Sequence, residues 1–242
     1  MIGMRIKTEI QTMDITKIIP QQYIRKYISV NQDSLKSNVK NQFQNSVTVS
    51  RYLQLDKRFF YNLGLWCGDK YRFGNSVGLT NITENLLNEF KKFLESIVKE
   101  KSMVKEILIN NGNASRIKIN SGLIRRILEN LEQQRENLIN EENDLVAYLS
   151  GRIDADGTIM LYAIKYKTSP IKITYENISE AEKDFELLKR FNLKSWISKY
   201  KDRNAFDLKI ALSSTLKILD KLNLKGEDKQ QKLILIRKLV GR

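Results

Sequence analysis

Leu145-Val146-Ala147-Tyr148-Leu149-Ser150-Gly151-Arg152-Ile153-Asp154-Ala155-Asp156-Gly157-Thr158-Ile159-Met160 is the stretch on which the fold turns. Leu145, Tyr148, Leu149 and Ile153 recur at helical spacing, which predicts an amphipathic helix. Gly151 and Ala155 lie four apart on it, and two small residues at that interval let another backbone approach closely. Asp154 and Asp156 close the helix just before Gly157, which is expected in the left-handed terminating position. A helix C-terminus carries partial negative charge, so a carboxylate there costs about 0.3–1 kcal/mol. A bound divalent cation is the natural compensation.

A second, weaker copy lies upstream in Asn62-Leu63-Gly64-Leu65-Trp66-Cys67-Gly68-Asp69-Lys70, inside a helix predicted over 56–70 with Phe59, Phe60, Leu63, Trp66 and Cys67 on its apolar face. Gly64 aligns with Gly151, Gly68 with Ala155 and Asp69 with Asp156. Small residues on both helices argue for one shared interface, which sets Asp69 and Asp156 side by side. The copy departs at Asn62, Cys67 and Lys70; a lysine beside Asp69 either pairs with it or displaces water from it, weakening this copy.

The repetition continues outward. Thr80-Asn81-Ile82-Thr83-Glu84 recurs as Glu176-Asn177-Ile178-Ser179-Glu180, each a helix-capping pattern ahead of Phe90 or Phe185. Strand regions over 115–120 and 206–213 lead into helices over 123–138 and 215–222. The motif carboxylates are 87 residues apart, a suitable length for one αββαββ unit. A symmetric fold without chemistry is the plain alternative.

Composition narrows the chemistry. A net charge of +14 favours a polyanionic partner, nucleic acid above all, although a generally basic protein shares that charge. The absence of histidine excludes His-based metal nucleases, Ser-His-Asp hydrolases and His/Cys zinc sites. Carboxylates, lysines, amides and a hard, oxygen-preferring metal remain. Cys67 is the single cysteine and cannot form an intramolecular disulfide; with no run of about 18 apolar residues, an intracellular protein, cytoplasmic or organellar and without a membrane partner, is expected. Residues 1–55 form a basic N-terminal extension, rich in Gln, Asn, Ser and Lys, with a short helix over 15–28 interrupted near Pro20. It either contacts nucleic acid or is a solvated arm.

Alternation in the strand candidates separates a core face from a polar face. Ile171, Ile173 and Tyr175 alternate with Lys172 and Thr174; Arg116 and Lys118 oppose Ile117 and Ile119; Leu208-Lys209-Ile210 repeats the arrangement; and Lys165 and Lys167 are expected on one face of another strand. Such a face suits a DNA groove, cations meeting phosphates and polar groups meeting base edges.

Leu149–Gly157, with its partner Asn62–Lys70, resembles the signature of the LAGLIDADG homing endonucleases, and the resemblance extends over roughly 56–224. It implies an α+β protein of two pseudo-symmetric αββαββα halves, residues 56–139 and 140–242, the latter with a C-terminal helical segment. The halves are joined at paired motif helices beneath a saddle of antiparallel sheets that lies in the DNA major groove. It further implies a monomer that cleaves both strands of a long double-stranded DNA site, with Asp69 and Asp156 as ligands of Mg²⁺ or another hard divalent cation. Asn81 and Asn177 would orient solvent, and Lys118 and Lys209 would stabilise charge. Arg116, Lys165, Lys167, Lys172 and Thr174 would contact DNA, while Gly64, Gly68, Gly151 and Ala155 would form the helix interface. Two alternatives share the fold: a DNA-binding regulator without cleavage, which would accommodate Lys70 and Cys67, and a maturase acting on intron RNA.

Overall fold

Two helices occupy the centre of the chain. In the computed structural model, which describes residues 11–38 and 46–241, these are α2 (Lys57–Asp69) and α5 (Glu142–Asp156). Asp56 starts α2 by accepting the Phe59 amide at 2.8 Å, satisfying one of the orphan donors of the first turn. The helices meet backbone to backbone. A Cβ placed on Gly64 would lie 2.0 Å from the Tyr148 carbonyl oxygen, and one on Gly151 would lie 2.0 Å from the Tyr61 carbonyl oxygen. Since Tyr61 stands to Gly64 as Tyr148 stands to Gly151, these reciprocal contacts mark a pseudo-twofold axis through the crossing. One turn on, a Cβ on Gly68 would come within 2.3 Å of the Ala155 Cβ.

Each helix leads into a four-stranded antiparallel sheet. In the first half β6 (Lys70–Phe73), β7 (Ser76–Asn81), β8 (Lys105–Ile109) and β9 (Ala114–Asn120) are ordered β6-β7-β9-β8, with α3 (Glu84–Ile97) between the hairpins and α4 (Gly122–Leu138) after them. In the second half β10 (Gly157–Ile159), β11 (Ile171–Tyr175), β12 (Ser195–Lys199) and β13 (Phe206–Ile210) are ordered β10-β11-β13-β12. There α7 (Ile178–Arg190) lies between the pairs and α8 (Leu212–Ile218) follows. The fold is therefore α+β with two αββαββα halves. A further helix, α9 (Glu227–Leu239), closes the chain. Val77, Leu79, Ile117 and Ile119 of the first sheet and Ile171, Ile173, Leu208 and Ile210 of the second are buried, so the period-two pattern does select the core face.

Two local expectations are corrected, and the interruption expected near Pro20 is observed. Lys165 and Lys167 lie on no strand: Lys165 ends the short helix α6 (Tyr162–Lys165), and Lys167 follows in a turn with φ 53°. Alternation over three residues cannot distinguish a strand from a turn when Lys165, Tyr166 and Lys167 are all exposed. Gly157 is extended, with φ −83°, rather than left-handed; glycine is required because a Cβ there would meet the Ile153 Cα at 2.5 Å and carbonyl oxygen at 2.6 Å. The helix near Pro20 is split: a 3₁₀ turn spans Ile15–Lys17, and α1 (Gln21–Tyr27) starts immediately after the proline.

The described part of the N-terminal extension is a folded module rather than a solvated arm. β1 (Thr12–Asp14) pairs with β5 (Tyr52–Gln54), and β2 (Ile28–Val30), β3 (Ser34–Ser37) and β4 (Thr48–Ser50) form a three-stranded sheet. Ile15, Leu35, Val47 and Val49 are buried in the same hydrophobic core as the first half, and Val49 bridges to Val98 beyond α3. Among the described residues no helix is long and apolar enough to cross a membrane.

Candidate metal and nucleic-acid site

Asp69 and Asp156 end the two central helices on the same side of the crossing. The Asp156 Oδ2 reaches across the interface and lies 2.8 Å from where a Gly68 Cβ would stand, so the second helix presents its carboxylate to the residue preceding Asp69. Burial, reinforced by the charge of Asp156, pushes the Asp69 carboxyl up to about 6 against a hydrogen bond from Asn81. Burial likewise raises Asp156, opposed by Arg152, Lys229 and Lys70. Two half-buried carboxylates at negative helix ends, with no nitrogen or sulfur donor of their own, fit a hard divalent cation. Among the described residues no group of three or more His, Cys, Asp or Glu side chains is assembled. The described residues thus bring two carboxylates together here.

The surroundings of the pair are unequal. Asn81 Nδ2 donates to the Asp69 Oδ2 at 2.6 Å. Strand register sets Lys70 opposite Leu79 and Gly157 opposite Ile173, so Tyr175 is the counterpart of Asn81, and Asn177 corresponds to Thr83. Asn177 is exposed and caps α7, accepting the Ser179 amide at 2.9 Å. The repeated five-residue segments therefore align two positions out of structural register, and Asn177 does not occupy the place expected of it. Lys70 does not turn to Asp69; it pairs with Glu132, its ammonium 6.0 Å from the centre of the Trp66 ring.

Asp156 is paired instead with the buried Arg152, at 3.3 Å. Arg152 stacks on Tyr175, 4.7 Å from its ring centre, and approaches Asp184 at 3.4 Å. Asp184 also accepts from Arg135 at 2.9 Å, Tyr148 at 2.9 Å and Tyr175 at 2.7 Å. Burial opposes its ionisation, yet Arg135 and Arg152 hold its carboxyl below the usual range. Asp154, the first aspartate of the motif, turns inward and accepts the Lys225 amide at 2.6 Å, the Gly226 amide at 3.2 Å and the Tyr61 hydroxyl at 2.7 Å. Cys67, its counterpart in the first half, is buried and its thiol is pushed up to about 12, which leaves it a small apolar side chain.

The sheet faces opposite the core carry the polar residues. Arg116 stacks on Tyr71 with its guanidinium 3.7 Å from the ring centre and donates to the Thr80 hydroxyl at 2.9 Å. Lys118 stands opposite Gly78, and Lys209 opposite Lys172, so these two lysines occupy equivalent positions in the halves. In the second half Lys172 donates to Tyr200 at 3.0 Å and to Asp207 at 3.3 Å, and the Thr174 hydroxyl donates to Asp207 at 2.8 Å. Asp207 holds the place that Arg116 holds in the first half. Lys165 and Lys167 are exposed on the connection between β10 and β11, beside the exposed Tyr162 and Tyr166.

Sequence reasoning missed Lys229 and the polar cluster around Asp184. Lys229 lies outside both repeats, so no spacing pointed to it. Arg152 carried a signal: an arginine on the buried stripe of a central helix requires a buried carboxylate partner.

The halves and their paired motif helices define the LAGLIDADG fold. No protein-family model matches the chain, and no curated protein matches it by sequence. By structure the chain is similar to mesophilic variants of the homing endonuclease I-DmoI, at 17% identity and a TM-score of 0.53, over 69% of this chain and 96% of that one. It is similarly close to I-DmoI in complex with DNA and Mn, at 18% identity and a TM-score of 0.53, over 70% and 97% of the two chains. The N-terminal LAGLIDADG domain of DUF199/WhiA aligns at 14% identity and a TM-score of 0.46, over 73% and 88%.

Proposed function

We propose that this protein is a site-specific, double-strand DNA endonuclease of the LAGLIDADG family that hydrolyses phosphodiester bonds with a divalent cation. The observation that carries this reading is the meeting of Asp69 and Asp156 at the ends of two helices, pressed together through Gly64, Gly68, Gly151 and Ala155. Asp69 and Asp156 would hold Mg²⁺ or Mn²⁺. A cation bound there supplies a Lewis acid and lowers the pKa of bound water. Asn81 fixes the orientation of the Asp69 carboxylate through its 2.6 Å hydrogen bond. Arg152 orients Asp156 from within the core. Lys118 and Lys209, at matching positions on the two sheets, face the duplex and stabilise charge on phosphate.

Binding would use Arg116, Lys172 and Thr174 on the sheets, with Lys165 and Lys167 on the β10–β11 connection contacting phosphates. Because Lys172 and Thr174 are engaged with Asp207, the second half supplies a pre-organised polar group, whereas the first supplies the stacked Arg116. Unequal halves suit an asymmetric target.

Incubating the full chain with a genomic or intron-flanking DNA library and Mg²⁺, then sequencing the new ends, tests the reading. Paired ends at a discrete site are expected. Salt-dependent duplex binding without cut ends would instead make the protein a non-cleaving regulator, and preference for structured intron RNA would make it a maturase.

A further inference from the structure

Lys229 belongs to neither repeat, yet it reaches the candidate site from α9. Its ammonium donates to the carbonyl oxygens of Ile153 at 2.8 Å, Asp154 at 2.7 Å and Ala155 at 3.3 Å. These belong to the last turn of α5, immediately before Asp156; the Ile153 carbonyl also accepts the Gly157 amide, while those of Asp154 and Ala155 lie in the turn where helix carbonyls lack intrahelical partners. The segment carrying Lys229 is itself clamped there, since the amides of Lys225 and Gly226 are both held by Asp154. Two aspartates and two helix ends, each equivalent to about half a negative charge, converge on this spot. The other nearby cations are spoken for: Lys70 pairs with Glu132, and Arg152 is shared between Asp156 and Asp184. The hydrogen bonds of Lys229 go to neutral carbonyls, so its charge is left to act on the aspartates; burial disfavours its protonated form, and Asp154, Asp69 and Asp156 stabilise it.

We propose that Lys229 is the resident counter-cation of the Asp69–Asp156 pair: α9 delivers it to the last turn of α5, where it holds two like-charged helix ends together before a divalent cation binds and sets how tightly that cation is held. This rests on the reading of the pair as a metal site. Lys229 is a positioning residue, acting through the two carboxylates.

The test is a stability cycle on the full chain in EDTA, combined with Mn²⁺ binding followed by electron paramagnetic resonance. Lys229→Met should lower the melting temperature, and the loss should shrink in the Asp69→Asn/Asp156→Asn background, where the repulsion is gone and the helix cap and the Asp154 carboxylate remain. Mn²⁺ should bind Lys229→Met about tenfold more tightly than the native chain, the order expected for removing one positive charge from a partly buried site. Lys229→Arg, which keeps the charge, should stay within about twofold of native affinity. Equal losses of melting temperature in both backgrounds, or unchanged Mn²⁺ affinity in Lys229→Met, would overturn the proposal and leave Lys229 a plain helix cap. If Lys229→Met does not fold alone, it should fold in the double-asparagine background; failure there too would overturn the proposal. A native chain that binds no Mn²⁺ would refute the metal reading, while the EDTA cycle would still decide whether Lys229 serves the carboxylates.

Discussion

Asn81 and Tyr175 occupy one position of the pseudo-symmetric fold and do different work. Asn81 reaches a motif carboxylate; Tyr175 turns to Asp184 and backs the arginine that holds the other one. This divergence hid Asn177's true place, because Asn81-Ile82-Thr83-Glu84 matches Asn177-Ile178-Ser179-Glu180 at three of four letters while the strands align two residues away. Asp69 and Asp156 were legible from the small-residue spacing and the cost of carboxylates at helix ends. The cluster behind them was not, since Asp184 sits on α7 at an ordinary position for a surface aspartate, and only the fold brings Arg135, Tyr148, Arg152 and Tyr175 around it. Asp184→Asn removes the anion between two buried guanidinium groups. It should destabilise the protein by about 3–5 kcal/mol, measured by chemical denaturation; a loss below 1 kcal/mol would show that the cluster is not coupled.

At the scale of elements, the crossing of α2 and α5 is the feature most exposed to substitution. Gly151→Leu would push a side chain into the Tyr61 carbonyl, and overpacking of this kind costs about 1–3 kcal/mol. An unchanged melting temperature would place the crossing elsewhere. Helix and strand positions followed from periodicity, because burial on one face imposes it. The β10–β11 connection did not, because its residues are exposed and packing exerts little selection on their pattern. The N-terminal module was equally hidden: its strands are three or four residues long, too short for a period to emerge. Within it Asp14 accepts from Arg51 at 2.7 and 3.0 Å and from Thr16 at 2.9 Å. The Arg51 hydrogen bond, against burial, lowers its carboxyl from 3.8 to about 2. A folded-state pKa below the unfolded one means that this contribution is complete above pH 3.8 and is lost as pH falls through 2. Melting temperatures followed from pH 5 to 2 should therefore fall more steeply for the native chain than for Asp14→Asn, which lacks the contribution throughout. Parallel curves would exclude Asp14 as a source of acid sensitivity.

At the scale of the molecule, two halves in one chain satisfy each other's central helix, and the reciprocal glycine contacts leave no motif helix without a partner. A monomer at micromolar concentration is the expected outcome of sedimentation; an obligate dimer would contradict it. The halves are symmetric where packing demands it, at Gly64 and Gly151, and differ where they would meet DNA and metal, at Arg116 against Asp207 and Asn81 against Tyr175. The central claim is that Asp69 and Asp156 together hold the cation that cleaves a duplex. The most direct measurement compares native chain and Asp156→Asn on the same library-selected duplex with Mg²⁺, alongside their melting curves in EDTA. The account predicts double-strand cleavage by the native chain, none by Asp156→Asn, and a melting temperature for Asp156→Asn equal to or above the native value, since repulsion between two half-buried carboxylates is removed. Cleavage by Asp156→Asn at the native rate would contradict it.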